Sequence, residues 1–123
     1  MVVPLLKEYG FVNYIVQYES TSNESGRFII TPLAEYQKSG AAAPVRMLAE
    51  VWGDLLVSHN LGLIRISFDE EHLSRGDCNK LIRTVLNLYC MEAGYKWVYA
   101  FNHTPQLFDF DAFLTYLNPK ESY

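Results

Sequence analysis

A stripe of apolar residues constrains this chain more than any other sequence feature. The stripe recurs at three- and four-residue intervals, the spacing of one helical face, and consists of Leu81, Ile82, Val85, Leu88 and Tyr89. It predicts a long helix that begins at Ser74 or Asp77, both good N-cap residues, and ends near Ala93 with Gly94 as its left-handed cap. Such a helix must bury its stripe against a second layer of structure.

That second layer is predicted to be a sheet. Residues 11–19 alternate between apolar and polar side chains, with Val12, Tyr14, Val16 and Tyr18 on one face. A polar segment at residues 20–26 separates this strand from a second strand at residues 27–31. The two strands therefore predict a hairpin near the start of the chain.

Apolar spacing and turn residues predict the remaining elements. Helices are expected at residues 2–9, 32–39, 44–60 and 104–117, and strands at residues 61–68 and 95–101. The alternation of helices and strands after the hairpin indicates two right-handed crossovers. The expected fold class is α+β with an α/β-like second half, in which helices cover a mixed four-stranded sheet with an N-terminal hairpin.

The order of elements from the hairpin onward is similar to that of STAS domains, which are regulatory protein-binding modules. Many such domains present a serine at the start of the helix after the third strand, where this chain has Gly76 and Asp77. The resemblance implies a regulatory adaptor.

Length and charge limit the functional classes. The 123 residues fit one domain, residues 1–123. The net charge is -4, and the ten lysines and arginines are scattered singly. Because binding to phosphates needs clustered cations, a nucleic-acid partner is not expected. A basic protein partner is compatible with this charge, and so is a homodimer.

Cysteine spacing and hydropathy predict a cytoplasmic location. Cys78 and Cys90 lie twelve residues apart in the long predicted helix, which separates them by ~18 Å and excludes a disulfide between them. Free thiols are typical of a reducing compartment. The first ten residues lack the pattern of a secretory signal, and no apolar stretch reaches the length of a membrane span.

The strongest cluster of candidate site residues is an acidic turn that follows the strand at residues 61–68. Asp69, Glu70, Glu71 and His72 could supply metal ligands, but their spacing matches no established ligand pattern. A solvated loop is the simpler interpretation, and an exposed group of carboxylates could also dock a basic partner. No metal or other cofactor is predicted.

Catalytic chemistry has weak support. His103 follows a predicted strand, and its pairing with Asp109 or Asp111 is the one acid–base combination worth testing. No base can be named for a nucleophilic Cys78, and the glycines form neither a dinucleotide fingerprint nor a P-loop.

Aromatic residues make up 15% of the chain, which points toward protein recognition. Four tyrosines are candidates for exposure on a partner-binding surface: Tyr14, Tyr18, Tyr36 and Tyr123. The leading hypothesis is a non-enzymatic interaction protein, such as an acidic immunity or antitoxin-type inhibitor that covers a basic site. The alternatives are the adaptor implied by the STAS-like order, and a small-molecule site or enzyme around His103 and the acidic turn.

Overall fold

The computed structural model describes residues 1–8, 10–22, 25–53 and 56–117. Its strands are β1 (Val2–Lys7), β2 (Gly10–Ser20), β3 (Ser25–Pro32), β4 (Met47–Trp52) and β5 (Leu63–Phe68). Its helices are α1 (Leu33–Ser39), α2 (Leu56–His59), α3 (Arg75–Cys90), α4 (Glu92–His103) and α5 (Phe110–Leu117). Short 3₁₀ helices lie at Gly40–Ala42 and Pro105–Leu107.

The strands form one sheet in the order β1-β2-β3-β4-β5, and every neighbouring pair is antiparallel. This confirms the α+β class and the hairpin, which joins β2 to β3. The sheet has five strands where four were predicted, and it is antiparallel where a mixed sheet was predicted. The expected crossovers do not occur. The order of elements on which the similarity to STAS domains was based is therefore also absent from the described structure.

Helices α3, α4 and α5 cover one face of the sheet, while α1 packs against β2 and β3 on the other. Cross-strand register places one apolar set on the covered face. This set comprises Val3, Leu5, Tyr14, Val16, Phe28, Ile30, Met47, Ala49, Ile66 and Phe68. The core therefore lies between the sheet and the three C-terminal helices.

The segment predicted as the first helix is strand β1. Its apolar residues fit a short helix equally well, but Val3 and Leu5 are almost fully buried on the covered face of the sheet. β1 pairs with β2 from Val2 opposite Ile15 to Lys7 opposite Gly10. Pairing with the next strand and burial against the core decide the conformation of such a short stretch, because six residues of isolated helix are not stable in water.

The prediction of a helix at residues 44–60 was also wrong. Its first half is β4, the strand between β3 and β5, and only Leu56–His59 is helical. Met47 and Ala49 are fully buried, and Val51 packs against the same core. Met47, Ala49 and Val51 alternate as expected for a strand, but other apolar residues of this segment recur at helical spacing and led to the prediction of a helix. One of these residues, Leu55, lies outside the described part of the chain.

The strand predicted at residues 95–101 is helix α4. Alternate aromatic residues suggested a strand, but the side chains that face the core follow a helical period. Gly94, Trp97, Val98 and Phe101 lie at i, i+3, i+4 and i+7, and all are buried or partly buried.

Helix α3 confirms the long helix that the sequence predicted. The Ser74 side chain caps it by accepting a hydrogen bond from the Asp77 amide at 3.0 Å. The helix ends at Cys90, three residues early, because Met91 is extended and starts a new direction. Both cysteines are free thiols, as predicted. Cys78 is buried, but Cys90 is exposed, although its apolar neighbours in the sequence predicted a place in the core.

The helix predicted at residues 104–117 is interrupted. A 3₁₀ turn at Pro105–Leu107 is followed by the extended residue Phe108, and α5 then begins at Phe110. Asp109 caps α5 by accepting a hydrogen bond from the Ala112 amide at 3.1 Å. The break lets Phe113 enter the core against Trp97 and Phe108. The stop predicted at Asn118-Pro119 lies outside the described residues.

Candidate functional site

The acidic turn after β5 is tied into an internal ion network. Asp69 accepts hydrogen bonds from Arg46 at 2.8 Å, from His72 Nδ1 at 2.9 Å and from the Glu71 amide at 3.1 Å. Arg46 also contacts Glu35 at 3.0 Å. Burial opposes ionisation of Asp69, but these three donors outweigh it and lower the pKa of the carboxyl group. Asp69 therefore holds the turn in place, while Glu70 and Glu71 remain exposed.

The same turn contains a possible set of metal ligands. One ligand atom from each of Asp69, Glu71 and His72 lies within 4.8 Å of the others. However, the guanidinium of Arg46 already supplies a positive charge to Asp69, which disfavours a cation there. Cys78, a few residues further along the chain, is buried with its thiol 3.6 Å from the Met47 sulfur and adds no ligand to this set. The geometry thus favours a structural role for this turn.

The tyrosines expected on one surface are dispersed. Tyr14 is only 6% exposed, so its predicted exposure was wrong, and burial raises the pKa of its phenol. Tyr36 is partly buried beside β2 and β3. Tyr18 is half exposed and its ring packs 4.9 Å from that of Phe28. Tyr123 lies outside the described residues.

The acid–base pair suggested from the sequence does not form. His103 is exposed at the end of α4, and its ring stacks on Tyr99 at 4.3 Å. Asp109 caps α5, and Asp111 is exposed in its first turn. Among the described residues, no hydrogen bond or ion pair joins His103 to either aspartate. These three residues therefore lack the mutual geometry that catalysis would require.

An apolar groove opens at one end of the molecule, where the last residues of β2 and β4 meet the first residues of β3 and β5. Helices α3 and α4 form its opposite wall, and its volume is about 480 Å³. Its lining is mostly aliphatic and aromatic: Tyr18, Phe28, Val51, Ile64, Leu86, Tyr89, Cys90, Tyr95, Val98 and Asn102.

The groove has a buried floor and an exposed rim. Phe28 and Val98 are buried, and the Phe28 ring packs edge-on against Tyr89 at 5.0 Å. On the rim, Ile64 is 42% exposed and Tyr95 is 48% exposed. Rigid aromatic side chains around an apolar depression are typical of surfaces that bind an apolar segment of another protein.

Sequence reasoning found only one residue of this groove, Tyr18. It missed the helical wall because Tyr95 was assigned to a strand, and the sheet wall because Val51 was assigned to a helix. The spacing of Gly94, Trp97 and Val98 could have indicated that α4 is a helix with Tyr95 on its outer side.

Comparison with known proteins assigns the chain to a family. The family model described as ATP11 protein matches residues 1–114, from β1 into α5. No curated protein matches the chain at a significant level. Within the described residues, every helix is too short or too polar to cross a lipid bilayer.

Proposed function

The chain belongs to the ATP11 protein family, and from this membership together with the apolar groove we propose that it is an assembly factor for ATP synthase. In this role it binds an unassembled subunit and shields an apolar surface of that subunit until the next subunit arrives. Surfaces that become buried in permanent assemblies are hydrophobic, so they need such protection before assembly.

The groove is the observation that carries this proposal. It offers an apolar floor and a rim of partly exposed aromatic and aliphatic side chains, which match an apolar segment of a subunit. Binding of this kind needs no catalytic group and agrees with the interaction role predicted from the sequence. The immunity or antitoxin version of that role has no support from the family.

Two further expectations stay predictions. Docking of a basic surface on Glu70 and Glu71 would add to the groove contact, since both side chains are exposed. The cytoplasmic location remains a prediction from the sequence. A function in ATP synthase assembly requires that the chain be present in the compartment where that enzyme is assembled.

A binding experiment with paired variants tests the proposal. The full chain is immobilised and exposed to each ATP synthase subunit purified alone, and to the assembled enzyme. We expect one isolated subunit to bind and the assembled enzyme not to bind. Tyr95→Asp should weaken binding about tenfold or more, because it places a charge on the rim of the groove.

Tyr99→Asp is the matched control. Tyr99 lies one turn further along α4 and is 54% exposed, close to the 48% of Tyr95, but it does not line the groove. This variant should bind within about twofold of the original chain, as expected for a surface substitution outside the contact. Equal loss of binding in both variants, or no binding of any isolated subunit, would refute the proposal.

A further inference from the structure

The two edges of the sheet are built differently. β1 contains Pro4, which has no amide to donate, and ends at Lys7, whose ammonium forms a 2.6 Å ion pair with Asp77 of α3. Proline and lysine are devices that protect edge strands from unwanted pairing. β5 contains neither proline nor lysine, and no described strand lies beyond it. Within the described part of the chain, the β1 edge is therefore protected against pairing and the β5 edge is left unpaired.

Backbone geometry shows which groups β5 leaves available. The Asp69 amide donates to the Arg46 carbonyl at 2.9 Å, in register with the β4–β5 ladder. Residues along an antiparallel strand alternate between its two neighbours. Leu63, Arg65 and Ser67 accordingly pair with β4, while the amides and carbonyls of Ile64 and Ile66 point away from the sheet.

Side chains on both faces of this edge are apolar and accessible. Ile64 forms the β5 wall of the groove and is 42% exposed, so a side chain opposite it would enter the groove. On the other face, Leu63 is 47% exposed and lies beside the partly buried Trp52 of β4. An incoming strand would thus find apolar contacts on each side.

Charge along the sheet adds a requirement. On the face away from the groove, Glu19 lies opposite Arg27, Arg27 opposite Glu50, and Glu50 opposite Arg65. The signs alternate across four strands, and Glu19 contacts Arg27 at 2.7 Å. Arg65 is exposed and forms no ion pair within the described residues, so the next position in this row favours a carboxylate.

We propose that β5 receives an extended segment of a partner protein by strand addition, in which apolar residues alternate and one acidic residue lies opposite Arg65. The segment extends the sheet through the backbone of Ile64 and Ile66, and its apolar side chains enter the groove. This inference rests on the proposed function for the identity of the partner, but its chemistry can be tested separately.

The probe is a nine-residue peptide with blocked ends, in which threonine and valine alternate and the central threonine is replaced by aspartate. Amide hydrogen exchange of the full chain is followed by NMR with and without this peptide. We expect exchange at Ile64 and Ile66 to slow at least about tenfold, since both amides gain an acceptor. Unchanged exchange at both amides would overturn the proposal.

Two variants of Ile64 separate backbone pairing from side-chain contact. Ile64→Ala and Ile64→Pro both shorten the groove wall, but only proline removes the outward amide, and proline is tolerated at such an edge position. Proline should weaken peptide binding about tenfold more than alanine does. Equal affinities of the two variants would overturn strand addition. Thermal melts of both identify any loss of folding.

A charge reversal tests the register. For Arg65→Glu we expect the preference to switch from the aspartate peptide to a matched peptide with central lysine, by about threefold in each case. An unchanged preference for aspartate would contradict the pairing with Arg65.

The occupant and the proposed function can fail independently. Protection of Ile64 and Ile66 that grows with protein concentration in the free chain would show that a second copy occupies the edge, and would overturn the partner assignment. A subunit that binds through Tyr95 without protecting these amides would refute strand addition alone. Peptide addition without binding of any subunit would refute the assembly role and leave strand addition standing.

Discussion

Replacing Gly94 by alanine should destabilise the protein, although alanine is the better helix former. Gly94 is buried in the first turn of α4, where this helix crosses the end of α3. A methyl group there would overlap the backbone carbonyl oxygen of Asn87 and lie 2.8 Å from its side-chain oxygen. That carbonyl oxygen also accepts the Met91 amide at 3.2 Å, so it cannot move without disturbing the end of α3.

The expected magnitude follows from two opposing terms. Alanine gains about 1 kcal/mol over glycine inside a helix. Overpacking against backbone costs about 1–3 kcal/mol and sometimes more, because α3 and α4 must separate. The overlap at Gly94 is with backbone, which places the cost at the upper end of that range. We expect a net loss of about 2 kcal/mol, or a melting temperature lower by roughly 8 °C.

Gly76→Ala is the matched control in the same pair of helices. Gly76 is exposed in the first turn of α3, and a methyl group there would meet only the Ser74 hydroxyl at 3.9 Å. This variant should be as stable as the original or more stable by up to about 1 kcal/mol. Urea unfolding followed by far-UV circular dichroism measures both variants. If Gly94→Ala also stabilises the protein, α3 and α4 do not approach each other as closely at Gly94 as the structure shows, and the predicted destabilisation is refuted.

Two other expectations concern titratable groups. Because the folded-state pKa of Asp69 is lowered, its contribution to stability is complete above the ordinary aspartate pKa of about 3.9 and is lost as the pH falls through the lowered value. Asp69→Asn should therefore melt at a lower temperature than the original chain at pH 7, and this difference in melting temperature should shrink toward about pH 2. A difference in melting temperature that does not change with pH would contradict the ion network. The two thiols should differ in reactivity, since Cys78 is 3% exposed and burial raises its pKa, whereas Cys90 is exposed. Mass spectrometry after brief maleimide treatment should find modification at Cys90 in the folded chain and at both cysteines after denaturation, and early labelling of Cys78 would show that the core opens.

Sequence patterns predicted elements well where local preference and tertiary environment agree. Helix α3 has a cap, a full apolar stripe and sixteen residues, so its local preference suffices to identify it. The β2–β3 hairpin has an apolar residue at every second position of its first strand and a polar loop between its strands. Both were identified, with ends that differ by a few residues.

Short apolar segments were predicted poorly because their sequences fit two periods. Residues 47–52 contain apolar side chains that suit either a helix or a strand, and β4 is a strand because β3 and β5 supply its hydrogen bonds. Residues 95–101 show the reverse case. The alternate aromatic residues fit a strand, but α4 places Trp97 and Val98 against the core and leaves Tyr95 and Tyr99 outside.

The candidate site was harder to predict because it has no sequence motif. The residues that stand out by their chemistry, Asp69 and His72, are engaged in an ion network that fixes a turn. The groove instead brings together ordinary apolar residues from six separate elements, and none of them is distinctive in its local sequence. The high aromatic content pointed toward a protein-interaction role, which membership of the ATP11 protein family supports.

The sequence by itself determined the α+β class, the long helix with its two separated thiols, and the aromatic, acidic character of the chain. These properties depend on composition and on patterns within one segment, which local physics controls. Tertiary structure decided the antiparallel pairing of β1, β4 and β5, the place of β5 at the edge of the described sheet, and the groove beside it. Each of these depends on contacts between separate segments of the chain, where pairing and burial outweigh local preference.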